Sequence, residues 1–346
     1  MPWAEALIAS KSNQLPIPLE GRVLSYVDAL NEALALALGL DPNVIVLGQG
    51  VNDPKGMFGV TTDLYKNFGT ERVFDTPLSE EGLFGICTGA AMNGIRPVYL
   101  HNRPDFLLLA FNQIVTHASK VHYMDNGETN VPLVAWAAIG RGWGSGAQHS
   151  QAIQGLLLGV PGLKIVMPST PYDAKGLLLA AIADNNPVLI FEHRWCMRNK
   201  GVVPEGMYEV SLGKGVYRRK GNDLTIAGTS HSIELATQAV DELAETGIPA
   251  DVIDLRTLKP LDEDELKEAV RKAVFKSHDD KSNDSKEKIL FTIQSGFKVL
   301  LLDDIIYLEG QDNYTEVNFN GGQLLVSKTL KDYENLLNYS NFYRIH

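Results

Sequence analysis

The sequence predicts an α/β protein with a doubly wound parallel sheet, a partial second α/β domain and a small, mostly β C-terminal fragment. Three observations predict this architecture. Apolar strand-like runs alternate with helical patterns over the first 273 residues, an order that favours a parallel sheet with helices on both faces. A polar stretch over 276–288 interrupts the alternation, and short strand-like runs follow it. We expect domains over 22–195 and 196–273, a polar linker over 274–287 and the fragment over 288–346.

The elements of the first domain follow from apolar periodicity and from residues typical of helix ends. Ser25 with Asp28 is typical of a helix N-cap, and Thr170-Pro171 of a helix start. Short continuous apolar runs indicate strands that are buried on both faces. In chain order we predict a helix from Tyr26, strand Val44–Leu47, helix Glu81–Met92, strand Pro97–Leu100, helix Phe106–Val121, strands Pro132–Ile139 and Leu163–Met167, a helix from Thr170 to about Asp184, and strand Val188–Phe191.

The second domain begins after residues 193–221, which are rich in Gly, Pro and basic side chains and are predicted to be an interdomain linker. The alternation then stops at KSHDDKSNDSKEK, which has no apolar residue, cannot bury a core and predicts a flexible linker. The predicted elements are strand Leu224–Ala227, helix Ile233–Glu245, strand Ala250–Leu255 and helix Asp262–Lys272, then strands Ile289–Ile293, Lys298–Leu302, Tyr307–Glu309, Tyr314–Phe319 and Gln323–Val326, and helix Leu330–Leu337.

Charge and composition exclude several classes of protein. The chain has 31 Lys and Arg against 42 Asp and Glu, a net charge of −11, which disfavours non-specific binding to nucleic acid. No apolar run approaches the ~20 residues that span a bilayer, and the N-terminus does not resemble a secretory signal. Cys87 and Cys196 are the two cysteines, too few for a disulfide framework or a Cys-rich zinc site. We therefore expect a cytoplasmic protein without a membrane partner.

Two neighbouring acids, Glu80 and Glu81, lie in DTPLSEEG between a turn and a helix of small residues. A carboxylate at a helix N-terminus is usually a capping residue. The functional alternative is a glutamate that handles protons at the strand-to-helix edge of an open α/β sheet, where ligands collect.

Two further segments also follow predicted strands. GRGWGSGAQHSQ, residues 140–151, contains four glycines that would let the backbone approach a ligand, and it contains His149. HNRPDF, residues 101–106, ends with Phe106, which is most simply a core residue. The glycine pattern differs from the dinucleotide fingerprint, and a lone loop histidine is more often structural than catalytic. All three segments follow parallel strands, so we expect them to line one cleft.

Five segments together resemble a known family. They are VFDTPLSEEGLFGICTGAAMNGIRPVYL, HNRPDF, AQHSQ, PGLKIVMPSTPYDAKGLLLAAIADNNPV and DVIDLRTLKPLD. In this order and spacing they resemble the β subunits of thiamine-diphosphate-dependent 2-oxo acid dehydrogenases of the pyruvate, branched-chain and acetoin types, over about residues 22–272. The resemblance implies a transketolase-like pyrimidine-binding domain, a transketolase C-terminal domain, and decarboxylation of a 2-oxo acid with acyl transfer to a lipoyl group.

The resemblance also implies roles for individual residues. Glu80 would bond the aminopyrimidine ring nitrogen of thiamine diphosphate and favour the tautomer that deprotonates the thiazolium carbon. Phe106 would pack against the pyrimidine, Asn102 would contribute to cofactor binding, and His149 would steady charge on the substrate. Because many pyruvate-type relatives carry apolar or aromatic residues where this chain has His101, Asn102 and Arg103, we expect a more polar site.

A structural potassium ion is also implied, although its DNNP turn is equally typical of a plain helix stop. The ligands would be mainly backbone oxygens of Leu133, Ala181, Ile182, Asp184 and Asn186.

Partners follow from the same resemblance. They are an α subunit, in an α2β2 heterotetramer, and the lipoyl acyltransferase core. The chain has no GDG segment with a following Asn, so magnesium and the diphosphate would be held mainly by the α subunit. We therefore expect the chain alone to be inactive, and the same absence disfavours a single-chain transketolase-like transferase. The second domain stops near Ala273, short of its usual length in this family.

The C-terminal fragment resembles a different family. LLLDDIIYLEGQDNYTEVNFNGGQLLVSKTLKDYENLL and FYRIH are similar to a LytTR-type DNA-binding domain that is incomplete in this chain. This resemblance implies the rival function, a DNA-binding regulator. We favour a fragment that does not bind DNA, because residues 274–346 hold eight Lys and Arg against eleven Asp and Glu, a net charge of −3.

Overall fold

The computed structural model describes residues 20–270, 288–293, 296–311, 314–326, 329–331 and 333. The N-terminal segment, the predicted polar linker, most of the predicted helix Leu330–Leu337 and the final FYRIH segment lie outside these residues. The chain divides into two compact units, Met1–Glu263 and Asp264–His346.

The first unit is built from short strands and helices in alternation. Its strands are β1 (Val23–Ser25), β2 (Val44–Gly48), β3 (Val73–Asp75), β4 (Arg96–His101), β5 (Val134–Ile139), β6 (Lys164–Val166), β7 (Val188–His193), β8 (Lys200–Val202), β9 (Val216–Arg219), β10 (Leu224–Gly228), β11 (Ala250–Asp254) and β12 (Thr257–Lys259). Its α-helices are α1 (Tyr26–Leu40), α2 (Leu64–Phe68), α3 (Glu80–Met92), α4 (Pro104–Leu107), α5 (Val121–Met124), α6 (Gln154–Leu157), α7 (Pro171–Ala183) and α8 (His231–Glu245).

A seven-stranded sheet in the order β12-β6-β7-β5-β4-β2-β3 forms the centre of this unit. All neighbours are parallel except β12, which runs antiparallel to β6. Successive residues of one strand enter different cores: Trp136 packs with α1 and α7, whereas Ala135 packs with α3 and the segment after β4. Helices therefore cover both faces, which confirms the predicted doubly wound parallel sheet.

Capping side chains start the two helices that pack on the same face of this sheet. The Ser25 hydroxyl accepts from the backbone N–H of Asp28 at 3.1 Å, and the Thr170 hydroxyl accepts from that of Asp173 at 3.2 Å. Such bonds satisfy N–H groups that have no partner inside the helix. Both starts agree with the local sequence pattern.

Two sequence-based predictions about this unit are wrong. The helix expected over Phe106–Val121 is broken into α4, a 3₁₀ turn at Leu108–Ala110, a π-helical turn at Gln113–Ala118 and α5. The Thr116 hydroxyl donates to the carbonyl of Asn112, a side-chain bond that competes with the regular ladder and bends helices. The expected linker over 193–221 contains β8, which pairs with β1, and β9.

A buried ion network joins a second, three-stranded sheet, in the order β10-β11-β9, to α7. Arg218 of β9 binds both Asp173 of α7 and Asp254 of β11, and Arg256 Nε lies 2.9 Å from Asp173 Oδ1. Asp173 and Asp254 are completely buried. The second sheet is therefore held to the first domain by charges from which water is excluded.

The second unit contains a helix at its start and antiparallel strands. The helix spans 263–270, and the strands are β13 (Lys288–Ile293), β14 (Gly296–Leu301), β15 (Ile305–Gln311), β16 (Tyr314–Phe319) and β17 (Gly322–Val326). β13 pairs with β14, and β15, β16 and β17 form a meander. This confirms the predicted small β fragment. None of the helices that the structure describes is both long and apolar enough to cross a membrane.

Candidate active site at the carboxyl edge of the sheet

The candidate site residues follow the carboxyl ends of strands in one parallel sheet. Glu80 begins the helix after β3, Phe106 follows β4, and His149 lies in the loop after β5. The strands β3, β2, β4 and β5 lie side by side in this order. Ligands of open α/β sheets bind at such an edge, so the topology agrees with the expected cleft.

The two neighbouring acids have different surroundings. Glu80 is 8% exposed, whereas Glu81 is exposed to solvent. The side-chain amide of Gln49, directly after β2, donates to Glu80 Oε1 at 3.3 Å. In the described part of the chain, no other residue bonds the Glu80 side chain. One carboxylate oxygen is thus held by the protein and the other is free to bond a ligand.

Gln49 is a contact that the sequence analysis missed. It lies 31 residues before Glu80, and its only local signal is its place after a buried strand. The contact depends on the pairing of β2 with β3, which brings the ends of these strands together.

Phe106 and His149 are in direct contact. Their rings meet edge to face with centroids 5.0 Å apart, and both side chains are partly exposed. Asn102 is also partly exposed and lies four residues before Phe106. The structure therefore joins Phe106 with His149 as one pair and Glu80 with Gln49 as another.

The expectation of a more polar site at HNRP is wrong for two of its three residues. His101 is buried against Tyr99, with ring centroids 4.1 Å apart, and burial lowers its pKa to about 3. Arg103 is 4% exposed and donates to the carbonyls of Ala138 and Gly140, each at 3.2 Å. Both side chains are thus buried, and Asn102 alone of the three is partly exposed.

The glycine-rich loop is held in unusual backbone conformations. Gly142, Trp143, Gly144 and Gly146 all have positive φ angles, which a residue with a side chain rarely adopts. The Trp143 ring lies 4.0 Å from the Arg194 guanidinium. These glycines are therefore required by the turn itself.

Four of the five residues that the resemblance assigns to potassium lie at the end of α7 and in the turn after it, and the carbonyl of the fifth, Leu133, accepts from the backbone N–H of Val188 at 3.0 Å. Arg96 donates to the carbonyls of Ile182 at 2.8 Å and of Asp184 at 3.1 Å, and Lys164 pairs with the Asp184 carboxylate. A carbonyl oxygen has two lone pairs, so each can accept from Arg96 and still face a cation. The remaining residues of the set are Leu133, Ala181 and Asn186. Among the described residues, no group of three His, Cys, Asp or Glu side chains is arranged to hold a metal.

Glu192, near the end of β7, is a buried acid that the sequence analysis did not single out. Its side chain is completely buried, no donor within the described chain meets its carboxylate at normal hydrogen-bond geometry, and the Trp136 side chain is the neighbouring group that favours its charged form. Burial raises its pKa to about 8. A buried carboxylate is costly in its charged form, so burial favours the protonated form of Glu192.

We expect Glu192→Gln to change how stability depends on pH. The raised folded pKa means that the stabilising contribution of Glu192 is complete below its unfolded pKa of about 4.5 and is lost as pH rises through about 8. The variant has no such group, so relative to wild type its free energy of unfolding should gain about 2–5 kcal/mol between pH 5 and pH 8. Urea unfolding at both pH values measures this gain. The exposed Glu81→Gln variant is the control, and an equal gain there would contradict the assignment.

Comparison with families of known proteins gives three matches along the chain. The transketolase pyrimidine-binding domain matches residues 22–199, the transketolase C-terminal domain residues 213–274, and the LytTr DNA-binding domain residues 295–346.

Curated relatives are similar over most of the first unit. The 2-oxoisovalerate dehydrogenase subunit beta of Bacillus subtilis is 44% identical over 251 residues, which are 72% of this chain and 77% of the relative. The acetoin:2,6-dichlorophenolindophenol oxidoreductase subunit beta of the same organism is 43% identical, over 71% of this chain and 75% of the relative. The pyruvate dehydrogenase E1 component subunit beta of Bacillus subtilis is 38% identical, over 72% of this chain and 77% of the relative.

A solved structure shares the fold. A split-gene transketolase, described as an inactive beta4 tetramer, superposes with a TM-score of 0.59 at 23% identity, over 72% of this chain and 77% of that chain. This likeness supports the α/β architecture.

Proposed function

This chain belongs to the family of 2-oxo acid dehydrogenase β subunits, which is thiamine diphosphate dependent, and we propose that it decarboxylates a 2-oxo acid together with an α subunit. The acyl group would pass to a lipoyl carrier on an acyltransferase core, and the two subunits would form an α2β2 heterotetramer. Relatives named as β subunits at about 40% identity support this proposal.

The burial of Glu80 beside an exposed Glu81 is the observation that carries the proposal. Thiamine diphosphate needs one acid that holds a proton at its aminopyrimidine nitrogen, and Glu80 is a partly enclosed carboxylate with one free oxygen. Gln49 holds the other oxygen, which orients the carboxylate. A helix-capping acid would need neither burial nor a side-chain partner from a segment 31 residues earlier in the chain.

The chain's other residues have supporting roles in this proposal. The cofactor, when bound, supplies the electron-accepting centre at which a 2-oxo acid loses carbon dioxide. Phe106 would offer its ring to the pyrimidine, and Asn102 would bond the cofactor. His149, packed edge to face on Phe106, would donate to the developing charge on the substrate.

Two cations complete the proposal. Mg²⁺ with the diphosphate would be held mainly by the α subunit. K⁺ would bind the carbonyl oxygens around the DNNP turn after α7, where Arg96 already bonds two of them. The positive charge of Arg96 should weaken binding of a cation there.

We expect the purified chain to have no activity until an α subunit is added. The reason is that the diphosphate and magnesium ligands come from the partner. The test is an assay with thiamine diphosphate, Mg²⁺ and pyruvate or a branched 2-oxo acid, with and without the α subunit of the same organism. Turnover by the chain alone would contradict the proposal, and turnover of a ketose phosphate would favour a single-chain transferase.

A DNA-binding regulator is the second candidate, because residues 295–346 match the LytTr DNA-binding domain. We expect no sequence-selective binding, since each phosphate contact requires a cation and the segment 274–346 has a net charge of −3. A fluorescence anisotropy titration of the full chain at physiological salt tests this. Sequence-selective binding at a Kd of about 10⁻⁸ M, as for specific DNA-binding proteins, would favour the regulator instead.

A further inference from the structure

We propose that Arg103 and Asp105 are positioning residues that hold the 140–151 loop at both ends and thereby keep His149 against Phe106. This inference rests on the proposed role of His149 in the reaction. It adds two residues that act through the loop without touching the substrate.

Arg103 anchors the first half of the loop. Its Nη1 donates to the carbonyls of Ala138 and Gly140, each at 3.2 Å, and its Nη2 donates to the Ser145 hydroxyl at 3.3 Å. A guanidinium presents several donors in a rigid plane, so one side chain ties two points of the loop, Gly140 and Ser145, to the end of β5 at Ala138. Lysine carries its charge on a single flexible nitrogen and cannot reproduce this arrangement.

Asp105 anchors the other end. Its Oδ1 accepts from the backbone N–H of Gln151 at 3.2 Å, two residues beyond His149. Asp105 is 7% exposed, and its Oδ2 is buried without a partner among the described residues. Its buried carboxylate therefore holds the backbone on the far side of His149.

The loop between these anchors has little support of its own. Its residues from 141 to 148 are exposed, apart from the partly buried Ser145. Its internal bonds are short-range ones, such as Ser145 N–H to Gly142 O at 3.3 Å and Ser150 N–H to Ala147 O at 3.3 Å. Trp143 adds two ring contacts near the start of the loop, with the Arg194 guanidinium and with the Trp195 ring. Because Phe106 follows Asp105 directly, the same segment that holds the loop also carries the ring on which His149 packs.

Amide hydrogen exchange on the full chain, without any partner, is the first test. We expect Arg103→Met to raise exchange at Ser145 and Ser150 at least tenfold, and Asp105→Leu to do the same at Gln151. Asp105→Asn keeps an acceptor oxygen and should restore slow exchange at Gln151. Arg219→Met, which removes a half-exposed arginine paired with Asp241 in the second sheet, is the matched control and should leave the loop unchanged.

Turnover of the complex with the α subunit is the second test. Arg103→Met should lower kcat by about 10²-fold, the size of effect that a misplaced reacting group can have. In a His149→Ala background, Arg103→Met should lower kcat by less than a further factor of two. The reason is that the losses from residues that act as a unit do not add. Arg103→Lys should recover part of kcat.

Different outcomes would overturn the positioning roles of Arg103 and Asp105 and the proposed role of His149 in the reaction. Unchanged exchange in the loop, or multiplicative losses in the double variant, would overturn the positioning roles. Wild-type kcat in His149→Ala would instead overturn the proposed role of His149, while the exchange data would still decide whether Arg103 and Asp105 hold the loop. If Arg103→Met does not fold, Arg103→Lys and Asp105→Leu provide the same two readouts.

Discussion

Glu80→Gln in the complex with the α subunit is expected to lower turnover by about 10²- to 10⁴-fold, the usual contribution of a general acid or base. Glutamine has the same shape and can still accept the bond that Gln49 donates to Glu80 Oε1. It cannot hold and return a proton. The loss should therefore appear in kcat, while the melting temperature and assembly with the α subunit stay unchanged.

Glu81→Gln is the matched control for this prediction. The two acids are adjacent on α3, yet Glu81 is exposed and Glu80 is 8% exposed. Removal of a solvated charge should change turnover less than twofold. Equal losses in the two variants, or a larger loss at Glu81, would show that the proton is handled elsewhere.

Local sequence signals predicted those parts of the fold that local chemistry determines. Ser25 and Thr170 cap α1 and α7 through bonds that span three residues, so a short segment contains the whole signal. The edge strands β3 and β12 are three residues each and have no such signal. Their existence depends on a neighbouring strand that supplies hydrogen bonds. The π-helical turn at Gln113–Ala118 packs against α3 in one core, so it depends on non-local contacts as well as on the local bond of Thr116.

Some residues of the candidate site could be predicted from local motifs, whereas the contacts between distant residues could not. Glu80, Phe106 and His149 could be selected because their motifs resemble a family, and the sheet places all three segments at one edge. The contacts of Gln49 and Arg103 join residues 31 to 42 positions apart, so no window of sequence contains both partners. The polar residues of HNRP suggested a polar cleft, but polarity alone does not show whether a side chain faces a ligand or a carbonyl inside the protein.

Arg218→Met is expected to lower the free energy of unfolding of the first unit by about 3–5 kcal/mol, the usual cost of breaking a buried ion pair. Arg218 binds Asp173 and Asp254, and both carboxylates are completely buried. Methionine fills much of the same volume as arginine, so little packing is lost. The main effect is that the two buried carboxylates lose the positive charge that neutralises them. Arg219→Met is the neighbouring control, because Arg219 pairs with an exposed Asp241 and should change stability little.

The pH dependence of this loss distinguishes charge from packing. Burial raises the pKa of Asp254 and Arg218 opposes that rise, so removal of Arg218 should raise the pKa further. A carboxyl with a raised folded pKa contributes stability that is complete below its unfolded pKa, about 3.8, and lost as pH rises through the folded value. The deficit of Arg218→Met should therefore be smaller at pH 4 than at pH 7. Urea unfolding at both pH values measures it, and a deficit of equal size would show that lost packing, not uncompensated charge, destabilises the variant.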